Sequence, residues 1–98
     1  MRVIWTREAR DRLKDIEGYI AQENPKAARK LVRGIIFKVA EQLTSYPSSG
    51  KAGRINGTRE LVFSGHRYIV VYSVSSGDIH VLTVFHGAQK KLLVQKSK

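Results

Sequence analysis

Three side chains in the second half of the chain, Arg59, Arg67 and His86, are of the types that cleave RNA without a metal, and Arg54 stands just before them. Guanidinium groups hold phosphate by paired hydrogen bonds and stabilise the extra charge of a pentacoordinate phosphorane. A histidine titrating near neutrality accepts the proton of a ribose 2′-hydroxyl or returns one to the leaving oxygen. The set would suffice for strand cleavage through a 2′,3′-cyclic phosphate. Lys51, Arg54, Lys90 and Lys91 are candidates for holding further anionic groups. The plainer alternative is a solvated cationic strand face with a hydrogen-bonded structural histidine, and the residues alone leave both readings open.

Other chemistries are excluded more firmly. The chain has no cysteine, so disulfides, iron–sulfur centres and thiol catalysis are out. His66, His80 and His86 lack metal-ligand spacing. Gly50-Lys51 resembles the end of a phosphate-binding loop, but Ser45 occupies the position of that loop's first glycine. No Ser-His-Asp set is discernible, and the second half holds too few acids for paired-carboxylate work. The expectation is a domain that uses no cofactor and no metal.

Charge dominates what is left. Eighteen Lys and Arg against eight Asp and Glu give 98 residues a formal net charge of +10. Residues 1–50 hold ten basic and six acidic side chains, whereas residues 51–98 hold eight basic ones against Glu60 and Asp78. The partner should be an anion, either nucleic acid or an acidic protein segment. No apolar run approaches the roughly 18 residues of a membrane span, and the start of the chain lacks a signal-peptide pattern. A soluble, intracellular protein without a membrane partner is expected.

The apolar spacing supplies the elements that must position these residues. Met1 to Trp5 reads as a short strand closed by Thr6, an N-cap. Ala9, Leu13, Ile16 and Ile20 then share one face of a helix, with Arg10, Asp11, Lys14 and Glu17 outside. Asn24-Pro25 ends that helix and opens another. The second helix carries an apolar stripe from Ala28 through Leu31, Val32, Ile35, Ile36 and Val39 to Leu43, and a basic one of Lys26, Arg29, Lys30 and Arg33 on its solvent side. Tyr46-Pro47 stops it. Ser48 to Gly57 is a loop, followed by strands at 58–63, 67–74 and 79–85 joined by tight turns. The middle strand is apolar on both faces, as a central strand should be. The fold class is α+β: a short N-terminal strand and an antiparallel helical hairpin packed on a small antiparallel sheet, one domain over 1–98 with a basic tail at 88–98.

Several of these motifs occur together in a known order. Tyr19-Ile20-Ala21, Asn24-Pro25-Lys26-Ala27-Ala28, Gly53-Arg54, Gly57-Thr58-Arg59-Glu60-Leu61-Val62, Tyr68-Ile69-Val70-Val71-Tyr72 and His86-Gly87-Ala88-Gln89 make the chain resemble the RelE/ParE superfamily of bacterial type II toxin–antitoxin toxins. The resemblance implies a cytoplasmic toxin, neutralised in a hetero-oligomer by a cognate acidic antitoxin. It also implies one of two targets: ribosome-bound messenger RNA, cut by RelE-like endoribonucleases, or DNA gyrase, inhibited by ParE-like members. The 57–62 and 86–89 motifs look more like the ParE branch, a group associated with plasmid stabilisation. RelE-like nucleases commonly carry an arginine three residues before the tyrosine of the central strand, where Ile69 stands here. Arg67 is the alternative cation on that strand face. In the nuclease reading, Arg59 and Arg67 would hold the phosphate and His86 would move the proton. In the ParE reading no catalytic residue is needed. A third possibility is a basic module that binds antitoxin or operator without toxicity. The tail from Lys90 to Lys98 departs from both branches.

Overall fold

The computed structural model describes residues 1–63 and 67–87. The chain begins with β1 (Val3–Trp5), after which Thr6 caps α1 (Arg7–Ala21) by accepting from the Ala9 N–H at 3.1 Å. Asn24 caps α2 (Pro25–Lys38) in the same way, accepting from the Ala27 N–H, and Pro25 takes the first helical turn, where no N–H is needed. A π-helical turn, Val39–Leu43, extends α2 and buries both of its end residues. The expected apolar stripes face inward, apart from Ile36, which is exposed at the edge of α2.

The sheet is larger than the three-strand meander the sequence suggests. Its five strands run in the order β1-β5-β4-β3-β2, with β2 (Lys51–Ala52), β3 (Arg59–Phe63), β4 (Tyr68–Ser75) and β5 (Asp78–His86). β2 lies inside the expected 48–57 loop and pairs antiparallel with β3 through Lys51 opposite Glu60 and Ala52 opposite Arg59. β3, β4 and β5 form the expected meander. β1 joins β5 in parallel, Val3 opposite Ile79, so the sheet is mixed rather than wholly antiparallel. Parallel pairing needs a long crossover, and the helical hairpin and the first two sheet hairpins provide it. Ser76 and Gly77 both have positive φ, the two-residue turn whose twist suits the β4–β5 hairpin.

β4 separates two apolar clusters. On the helical side Tyr68, Val70 and Tyr72 pack with Ala9, Leu13, Ile35 and Leu43, while on the other side Ile69 and Val71 pack with Phe85. A bulge decides which face the end of β5 serves. Val71 lies opposite Thr83 and Tyr72 opposite Val81, which leaves Leu82 as the extra residue. Ile79 and Val81 face the helices before the bulge, and Val84 faces them after it. Strict alternation from Ile79 would have turned His86 away from α1; the extra residue turns it toward α1.

Thr6 ties the start of α1 to that bulge. Its hydroxyl donates to the Leu82 carbonyl at 3.0 Å while accepting from Ala9, and its N–H donates to the Val81 carbonyl. Thr6→Val removes the cap and the bulge contact together, and chemical denaturation should show a loss of about 1–2 kcal/mol. A midpoint equal to wild type would refute this role.

Candidate functional site

The loop and β2 side of the sheet absorbs two of the expected anion-binding cations. The side chain of Glu60 is 2% exposed, and its carboxylate accepts from the Arg54 guanidinium at 2.9 Å and the Arg54 N–H at 3.0 Å. Arg54 also lies 5.8 Å from the centre of the Phe85 ring. Its charge is therefore matched inside the protein. Arg59 faces Tyr72 across β3–β4 and donates to the Gly50 and Ser48 carbonyls at 2.8 and 3.2 Å. Both arginines hold the 48–57 loop against the sheet. Lys51 is exposed on β2, and its side chain forms no ion pair among the described residues.

Tyr72 completes that side. Its buried hydroxyl donates to the Pro47 carbonyl at 2.7 Å and accepts from the Gly50 N–H at 2.9 Å. A Cβ on residue 50 would stand 2.7 Å from that hydroxyl, so glycine is needed there by close approach.

His86 occupies a different place. It lies opposite Tyr68, with the two rings edge to face at 5.2 Å and 88°. Both belong to a cleft of about 490 Å³ between the sheet and α1. Ile16, Ile20 and Val84 supply apolar lining, and Arg12, Asp15 and Tyr19 the polar rim. Tyr19 is 78% exposed. The rim residues recur on one face of α1 at helical spacing, the signal by which the sequence could have been searched for them.

Of the three nuclease candidates, His86 lines the cleft and Arg59 and Arg67 do not. Arg59 is opposite Tyr72, four positions along β4 from the Tyr68–His86 pair, roughly 13 Å at strand rise. Arg67 is exposed in the turn before β4. Its carbonyl accepts from the Gly87 N–H, but Arg67 does not line the cleft. Ile69, at the position of the nuclease arginine, is fully buried beside Val71 and Phe85. Lys90, Lys91, the rest of the 88–98 tail and His66 lie outside the described residues. His80 is half-buried, opposite Ile4 and Ser73. Among the described residues no group of three or more side chains could hold a metal, and no helix is long and apolar enough to cross a membrane.

One further ion pair secures β1. Arg2 donates through its guanidinium and its N–H to the Asp78 carboxylate, both at 3.1 Å. These hydrogen bonds, the side-chain one foremost, hold the Asp78 carboxyl below the usual aspartate value. The stabilisation is present above the ordinary carboxylate pKa and is lost as pH falls through the lowered one. Asp78→Asn should accordingly flatten the acid limb of the stability profile below about pH 4. An unchanged acid limb in the variant would contradict the assignment.

The comparisons with known proteins agree with this architecture. The family model for the ParE toxin of type II toxin-antitoxin system, parDE, matches residues 3–91. The protein Y4kP of Sinorhizobium fredii is 43% identical over 89 residues, covering 91% of each chain. Toxin RelE2 of Caulobacter vibrioides is 32% identical over 87 residues, 89% of this chain and 96% of that one. Among solved structures, the chromosomal ParDE TA system from P. aeruginosa superposes with a TM-score of 0.78 at 25% identity, over 88% of this chain and 95% of the other. With a matched span running from β1 past the end of β5, the chain belongs to the ParE toxin family of type II toxin–antitoxin systems.

Proposed function

We propose that this toxin acts as a ParE-type inhibitor, binding DNA gyrase and cutting no nucleic acid itself. The observation that carries the reading is that the arginines expected to hold phosphate do not line the His86 cleft. Arg54 and Arg59 are engaged with Glu60 and with loop carbonyls, and Ile69 is buried in an apolar cluster. A metal-free nuclease that used these residues would have to bring its guanidinium and imidazole groups around one phosphate. Purified full-length protein should abolish gyrase supercoiling of relaxed plasmid at near-stoichiometric ratios; full supercoiling at a large toxin excess would sink the proposal.

Neutralisation would come from a cognate acidic antitoxin in a cytoplasmic hetero-oligomer. The cleft beside α1 has the apolar floor and polar rim that suit one face of an amphipathic helix, with Ile16, Ile20 and Val84 as the floor. The net charge of +10 would speed association with an acidic partner.

One observation favours a second reading. His86 stands in an open cleft with Arg12, Asp15 and Tyr19 at its rim, and a relative carries the name Toxin RelE2. A ribosome-dependent endoribonuclease would cleave messenger RNA on translating ribosomes, and His86→Ala or Arg67→Ala would abolish cleavage.

A further inference from the structure

The outer face of α2 departs from the rules that stabilise a helix. Lys26, Arg29, Lys30 and Arg33 are all exposed and recur at i, i+3, i+4 and i+7, so they form one stripe. They alone line a shallow groove of about 370 Å³. Residues 24–40 contain no acid, and the ion pairs among the described residues are Arg2–Asp78 and Arg54–Glu60. Each like-charge pair three or four residues apart destabilises the helix. Lys26 is further opposed by the positive end of the helix dipole, and the first turn holds no acid to offset it. α1 shows the ordinary arrangement, with Arg7, Arg10 and Lys14 interleaved with Glu8, Asp11 and Glu17. A sequence that breaks a local rule without compensation inside the protein points to compensation outside it.

We propose that this face of α2 is a docking surface for the phosphate backbone of duplex DNA. From Lys26 to Arg33 the helix rises roughly 10.5 Å at 1.5 Å per residue. Phosphates carry one negative charge for about every 1.7 Å of duplex axis, so a segment of this length faces several of them. The four long, flexible side chains can splay from that segment onto separate phosphates of a duplex. An amphipathic acidic peptide fits less well, because it docks by an apolar face and the groove is lined by four cationic side chains. Phe37, 65% exposed, lies one turn beyond Arg33. Single-stranded nucleic acid is held by aromatic residues among the cations, and none occurs between 26 and 33.

The test is fluorescence anisotropy of the full-length protein with a labelled duplex of about 20 base pairs, chosen to cover the stripe more than once, across a range of salt concentrations. Lys26→Gln/Arg29→Gln/Lys30→Gln/Arg33→Gln should make the slope of log affinity against log salt shallower by about 3.6 and weaken binding more than tenfold at moderate salt. A control, Arg7→Gln/Arg10→Gln/Lys14→Gln, should change the slope by less than about 1. Circular dichroism should show both variants folded, the first melting no lower than wild type, since repulsion has been removed. Equal loss per charge in both variants would reduce the effect to net charge and overturn the proposal. So would binding of a polyglutamate peptide or single-stranded RNA through the same four residues as tightly as the duplex. Neither gyrase nor antitoxin is present, so the result is independent of the proposed target.

Discussion

Arg54→Met should lower the melting temperature by roughly 12–24 °C, because a loss of about 3 kcal/mol in a domain of this size moves the midpoint that far. Methionine keeps an apolar side chain against Phe85 but removes the partner of a carboxylate that the fold buries. The full cost of a broken buried pair lies nearer 3–5 kcal/mol, and the lower end applies because the Arg54 side chain is 27% exposed, which gives water a route to the site. Glu60 faces the same side of the sheet as Val71, its partner across β3–β4, so a leucine there would join an apolar neighbourhood. Arg54→Met/Glu60→Leu should therefore recover most of the loss, and the coupling between the two sites should be large in a double-mutant cycle. Calorimetry of the four proteins decides the matter. A single variant melting within a few degrees of wild type would mean that the pair is not structural, and Arg54 would return as a candidate for holding a ligand anion.

Gly50→Ala is the second substitution with a large expected effect. The new methyl would lie 2.7 Å from the Tyr72 hydroxyl, 2.8 Å from the Cε1 atom of the same ring and 2.9 Å from the Glu60 carbonyl oxygen. None of these can give way cheaply: the ring is fully buried, and the carbonyl belongs to β3. Overpacking of this kind costs about 1–3 kcal/mol, and loss of the hydrogen bonds that join Pro47, Tyr72 and Gly50 places the variant at the upper end. Urea unfolding should register the loss. Tyr72→Phe should not rescue it, because two of the three close contacts persist without the hydroxyl. Rescue to wild-type stability would show that the loop shifts freely, and the idea of a rigid 48–57 loop would fail.

Both substitutions act on one structural unit, and this bears on function. Arg54 and Arg59 are basic residues at the sheet, where a sequence reading looks for anion binding, yet their hydrogen bonds run to Glu60, Ser48 and Gly50. Loss of toxicity on mutating either arginine would reflect unfolding as readily as loss of a ligand contact. Growth assays on such variants are informative once stability has been measured alongside them. His86 and the rim of the cleft are cleaner probes, being half-buried or exposed and remote from this unit.

What was legible in the sequence was set by local chemistry. Thr6 and Asn24-Pro25 mark helix starts because a cap bonds to N–H groups within three residues of itself. The periodicities of α1, α2 and β4 give the buried faces because side-chain direction follows from residue spacing alone. The family motifs are likewise contiguous in the chain, and the two-helix, central-strand architecture they imply is the one observed. What tertiary structure decided was every feature that joins distant residues. β1 pairs with a strand 76 residues further on, a register that no local pattern encodes. The extra residue at Leu82 reverses the alternation of β5 and brings His86 to the cleft, whereas a count from Ile79 points it the other way. The cations divide by the same logic. Sequence fixes their number, but whether a guanidinium meets solvent or a buried carboxylate depends on which strands become neighbours. Arg54 and Arg59 are thereby engaged within the fold, whereas the stripe on α2 forms no ion pair among the described residues and stays on the surface.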